Sequence, residues 1–79
     1  MKKLTQEQKD KVIEIIENLS GYINVVPSDR FKDDLGCDSI EFTEVIMEVE
    51  KEFNIHIPDA EIEGIYTVEE LLGTVALFM

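Results

Sequence analysis

Seventy-nine residues, 44% of them apolar, are enough for one small hydrophobic core and too few for two, so a single domain over residues 1–79 is expected. A formal charge of −11 argues against binding a phosphate backbone, which needs clustered Lys and Arg, and the lone Cys37 excludes an internal disulfide or a cysteine zinc site. Met1-Lys2-Lys3 leads into polar residues 5–10 where a signal peptide would have its apolar core, so neither export nor membrane insertion is expected and the predicted location is cytoplasmic.

In chain order, Thr5-Gln6-Glu7-Gln8 has the spacing of a capping box, in which the threonine hydroxyl and the glutamine side chain each take the other residue's amide. Val12, Ile13, Ile15, Ile16 and Leu19 then recur at three- and four-residue intervals, and Gly21 supplies a left-handed stop; a helix is predicted over about Gln6 to Ser20. Residues 22–37 contain Pro27, Ser28, Asp29 and Gly36 with no sustained period, and read as a long loop pinned to the core by Phe31 and Leu35. Asp38-Ser39-Ile40-Glu41 reads as a second capping box. It opens a helix with Phe42, Val45, Ile46, Val49 and Phe53 inward, and Ile40, Glu41, Glu44, Met47, Glu48 and Lys51 outward. Residues 54–57 alternate like a strand but have no pairing partner, and are read as a connection. Pro58-Asp59 begins a short helix carrying Ile62 and Ile65 and limited by Gly64. Thr67-Val68-Glu69-Glu70 is the third capping box, and Val68, Leu71, Leu72, Val75, Ala76 and Phe78 make the last amphipathic helix. The predicted fold is all-α: a four-helix bundle with three longer helices, one short third helix and a long loop between helices one and two.

Charge is unevenly placed along this frame. Residues 1–28 balance four lysines against four acids, whereas residues 29–63 hold twelve acids against Arg30, Lys32 and Lys51, a net of −9. The concentration surrounds one serine, Ser39, in the first turn of helix two, and points to basic partners steered to it. A phosphodiester on that hydroxyl would lie against unpaired first-turn amides, where an exposed anion gains about 0.3–1 kcal/mol. Nucleophilic catalysis by the serine is not indicated. No Gly-x-Ser-x-Gly elbow surrounds it, and the one histidine, His56, lies beyond the far end of helix two as an exposed polar residue. Cys37, with Asp38 and Asp34 nearby, is disfavoured as a thiolate. Residues 59–70 partly match a calcium loop through Gly64 and Glu70. Glu61 and Glu63, however, occupy places that prefer Asp or Asn, and Thr67 and Glu70 already serve as a cap, so a calcium-binding helical protein ranks as the lesser alternative and no metal ligands are assigned.

Phe31, Asp34-Leu35-Gly36, Asp38-Ser39, Glu41, Met47, Glu50, Phe53, Ile57-Pro58-Asp59 and Thr67-Val68 together make the chain resemble the acyl carrier proteins, from Thr5 to about Phe78. That family's Asp-Ser-Leu motif carries 4′-phosphopantetheine on its serine; here the third residue is Ile40. The resemblance implies a carrier and not an enzyme. Coenzyme A would supply a covalent 4′-phosphopantetheine to Ser39, beside Asp38, giving a phosphoprotein that delivers acyl thioesters to the enzymes of fatty acid biosynthesis. Ile40, Glu41, Glu44, Met47 and Glu48 would meet basic patches on a phosphopantetheinyl transferase and on acyl synthases, reductases and acyltransferases. The same resemblance implies a monomer without nucleic-acid or membrane partners. It also implies an acyl pocket between helix two, the short third helix and the loop that carries Phe31, drawn from Phe31, Phe42, Val45, Val49, Ile57, Ile62 and Ile65. Phe42 stands where the family usually has a smaller residue, and Lys51 where it commonly has an acid. These departures keep open a specialised carrier of another acyl or aminoacyl group, of D-alanyl or polyketide type.

Overall fold

The computed structural model describes residues 3–79 and places α1 at Gln6–Ser20, α2 at Ser39–Phe53, α3 at Asp59–Ile62 and α4 at Val68–Phe78. Among the described residues there is no strand, only an isolated antiparallel bridge between Arg30 and Thr67. The predicted all-α bundle, three longer helices and a short third one, is the observed architecture.

Each long helix begins on a side-chain cap. At α1 the Thr5 hydroxyl accepts from the Gln8 amide at 3.1 Å while the Gln8 side chain accepts from the Thr5 amide at 2.9 Å. Gly21, at φ 82°, ends the helix by donating to the Glu17 carbonyl, in a left-handed conformation that costs glycine nothing. At α2 the Asp38 carboxylate accepts from the Glu41 amide at 2.8 Å, but the predicted reciprocal bond from Glu41 is not made. The two completed boxes pair a neutral hydroxyl with the returning side chain, whereas a box here would press two carboxylates together. Asn54, at φ 53°, closes α2 and was not foreseen as its stop; asparagine is among the few non-glycine residues that tolerate this conformation.

The α4 cap is the most heavily bonded. Glu70 accepts from the amides of Tyr66 at 3.0 Å and Thr67 at 2.9 Å, and the Thr67 hydroxyl accepts from the Glu70 amide at 3.1 Å. The Tyr66 amide first, and the Thr67 amide next, hold the Glu70 carboxyl below its ordinary value of 4.5. A depressed carboxyl gives stability that is present above its unfolded value and lost as pH falls through the lower folded value. Thermal melts of wild type and Glu70→Gln should therefore differ near neutrality and converge as pH drops below 4.5. A gap that stays constant into acid would show that the charge contributes nothing to the cap.

Val12 and Ile16 of α1, Val45 and Val49 of α2, and Val68, Leu71 and Val75 of α4 are fully buried, with Ile57 from the connection after α2. α1 packs on both α2 and α4. The long loop is built into this core through Phe31 and Leu35, as predicted, and also through Val25 and Cys37, which were not counted as core. Loop amides find acceptors on side chains: Val25 on Glu17 at 3.1 Å, Val26 on Asp29 at 2.9 Å, Arg30 on Asp34 at 2.7 Å. Its backbone is also stitched to the start of α4. Phe31 donates to the Tyr66 carbonyl at 2.9 Å, Val68 to Asp29 at 3.0 Å and Glu69 to Pro27 at 2.8 Å. First-turn amides of α4, which a helix cannot satisfy internally, thus have acceptors in the loop.

Candidate functional site

At the start of α2 the equivalent amides are left open. Gly36, at φ 61°, turns the chain so that Cys37 is buried and Asp38 and Ser39 emerge. Asp38 is committed to the Glu41 amide, and its carbonyl accepts from Phe42 at 2.9 Å. Ser39 is exposed, and among the described residues its hydroxyl, its amide and the Ile40 amide have no protein partner. One hydroxyl and two unpaired donors therefore share the positive end of a fifteen-residue helix.

Beside Ser39 lies an open depression of about 560 Å³, walled by Phe31, Phe42, Ile65 and Tyr66, with Lys32, Gly36, Cys37 and Asp38 completing its lining. The Phe31 and Phe42 rings are tilted against each other at 59°, with centroids 4.9 Å apart. Of the residues expected to form an acyl pocket, Phe31, Phe42 and Ile65 are brought together with Ser39. Val45, Val49 and Ile57 lie fully buried in the core and Ile62 is half-buried; none of the four lines this depression. Tyr66 and Lys32 were missed because neither belongs to an apolar period. Tyr66 could have been sought as the residue before the Thr67 cap, where a bond to the loop carries it beside Phe31.

The outward face of α2 forms a ridge of acids with two apolar side chains, Ile40 69% and Met47 60% exposed. Glu44 and Glu48 are exposed between them and Glu41 is half-buried. Arg30, the chain's one arginine, does not offset this ridge. It points to Asp33 at 3.4 Å and Asp34 at 3.1 Å, and its hydrogen bond to Asp34 lowers that carboxyl from its usual range. Cys37 has its thiol pushed up first by burial and then by Glu41 and Asp38. The sequence reading named Asp34 in place of Glu41; Asp34 is paired with Arg30 instead. His56, its side chain 86% exposed, sits 3.4 Å from Glu50 after the far end of α2.

These features fit a phosphate-linked organic arm: a reachable hydroxyl, unpaired amides for the phosphate, and an apolar wall alongside. They do not assemble a base next to the serine. No helix among the described residues is long and apolar enough to cross a membrane.

Comparison with known proteins agrees with this chemistry. Residues 10–75 match the family described as "Phosphopantetheine attachment site". The acyl carrier protein of Chlorobium phaeovibrioides is 44% identical over 68 residues, covering 84% of this chain and 87% of the relative. That of Chlorobium phaeobacteroides is 42% identical over 72 residues, covering 87% and 92%. A solved acyl carrier protein structure from Mycobacterium tuberculosis superposes with a TM-score of 0.85 at 27% identity, over 89% of this chain and 96% of that one.

Proposed function

This chain belongs to the acyl carrier protein family, a non-catalytic carrier with a covalent 4′-phosphopantetheine, and on that premise we propose that Ser39 is the attachment point and fatty acid biosynthesis the pathway served. The observation that carries the assignment is the free Ser39 hydroxyl beside the unpaired Ser39 and Ile40 amides, held in place by a cap that belongs to Asp38. When bound, the group supplies a thiol on which acyl cargo is held as a thioester. The chain's own residues orient and recognise. Asp38 fixes the helix start without using the serine, which leaves the two amides available to a phosphate carried on Ser39. The α2 ridge presents Glu44 and Glu48 to basic patches on a phosphopantetheinyl transferase and on acyl synthases, reductases and acyltransferases. Ile40 and Met47 provide apolar area to bury once the charges have oriented the partner.

Two measurements test this reading. Coenzyme A and a broad-specificity phosphopantetheinyl transferase should add one prosthetic group by intact mass, and the loaded protein should support malonyl-dependent elongation by fatty-acid synthases. Replacing Glu44 and Glu48 together by lysine should lower kcat/KM for such a synthase by about tenfold or more, because opposing charges steer association. Helical content should be unchanged, since both side chains are exposed. Wild-type kcat/KM should fall with added salt and that of the variant should not. Equal salt dependence in the two proteins would remove the ridge from recognition.

A further inference from the structure

Two of the side chains that wall the depression beside Ser39 are aromatic rings in contact with each other. Phe42 lies three residues after Ser39, on the same side of α2's first turn, and its half-buried ring rests on Phe31, which is 4% exposed. Val45, Val49 and Ile57 are fully buried in the core that includes Phe31 and against which Phe42 packs, and none of them lines the depression. A group brought to this place meets the rings of Phe31 and Phe42, Ile65 and the 69% exposed Tyr66 at the surface. Such a site offers wide, flat apolar contact and little depth. Flat or compact groups can cover themselves there, and aromatic groups gain ring-on-ring contact as well. An extended alkyl chain would have to displace Phe42 before it could be buried.

We infer that Phe42, braced on Phe31, selects the cargo this carrier shields: short-chain and aryl acyl groups are covered in the depression beside Ser39, while long straight chains stay in solvent. The inference rests on the loading of Ser39 proposed above and narrows the cargo of that same site. The arm is long enough to fold back, so a thioester-bound group alternates between the depression and solvent. Its accessible fraction sets how fast an external nucleophile reaches it.

The test uses the full chain loaded with butyryl, benzoyl or dodecanoyl pantetheine. Each thioester is cleaved by hydroxylamine, which releases thiol and hydroxamate, and each rate is divided by that of the same acyl group on free pantetheine. A group covered nine-tenths of the time is cleaved about tenfold more slowly. Protection of about that size is expected for butyryl and benzoyl, and less than about twofold for dodecanoyl. Phe42→Ala should extend protection to dodecanoyl and weaken it for benzoyl. Phe42→Leu, which keeps an apolar side chain for the core, serves as the second variant, with far-UV circular dichroism confirming its fold. Dodecanoyl protected as well as butyryl in wild type overturns the inference without recourse to any variant, as does an unchanged protection profile in a folded Phe42 variant. Failure to add the prosthetic group overturns the attachment reading and the inference with it; complete loading with the wrong protection profile overturns the inference alone.

Discussion

Ser39→Ala should remain folded and add no phosphopantetheine under conditions that load the wild type completely. The two halves of this expectation come from different residues. Folding is preserved because Asp38, not Ser39, caps α2, and because the serine hydroxyl bonds to nothing among the described residues. Alanine is also the best helix former for a first-turn position. A surface change of this kind shifts stability by no more than about 0.5 kcal/mol. Loading is lost because Ser39 has the one hydroxyl in the first turn of α2; Tyr66, the other hydroxyl-bearing residue in the depression's lining, is a phenol outside that helix. Thr43, the nearest hydroxyl downstream, donates to the Ser39 carbonyl at 2.7 Å one turn further on. Intact mass and far-UV circular dichroism on the same samples decide the matter. Any phosphopantetheine on Ser39→Ala would sink the attachment assignment, whereas lost helicity would mean that the serine has a structural duty not visible in its contacts.

Phe31→Ala should have the largest effect on stability, about 3–5 kcal/mol, the usual cost of emptying a buried aromatic position. A domain of this size has only about 4–12 kcal/mol in total, so the variant should be near its unfolding midpoint in mild denaturant. The ring does more than fill space, while the backbone bond from the Phe31 amide is kept by alanine. The Phe31 side chain pins the long loop to the core and braces the Phe42 ring, and both contacts are lost with it. Urea unfolding followed by circular dichroism gives the difference directly, and Phe31→Leu should recover part of it. A cost below about 1 kcal/mol would show that the backbone bonds to Tyr66, Asp29 and Pro27 position the loop without the ring.

The parts of this structure that were legible in the sequence are those written in short-range chemistry. Thr5 with Gln8, and Thr67 with Glu70, mark helix starts because a cap needs a specific oxygen three residues from a specific amide. Val12 through Leu19 and Val45 through Phe53 mark buried faces because a helix returns every 3.6 residues. Ser39 stood out by the same local logic. What was not legible depends on chain segments far apart. The stitching of residues 27–31 to 66–69 uses backbone groups that carry no side-chain signature, and it is what brings Tyr66 to the serine. Glu41 shows a limit of pattern alone, since its position suits a capping box while its charge, next to Asp38, does not. The residues expected to line a pocket sorted themselves by packing. Phe31, Phe42 and Ile65 reach the surface depression, and Val45, Val49 and Ile57 fill the core, a division that helical period cannot make because both sets point inward.

The inward turn at Gly36 has a practical consequence for measuring the carrier's state. Cys37 is the chain's one cysteine, 5% exposed, with its thiol held back from ionising. Reagents that attack thiolates react slowly with such a group. On the native loaded protein the fast-reacting sulfur is then the one at the end of the arm, and maleimide stoichiometry counts the molecules that bear a free arm. Denaturing the same sample releases Cys37 as an internal standard of one equivalent per chain, so two readings on one tube give the fraction of chains that bear a free arm.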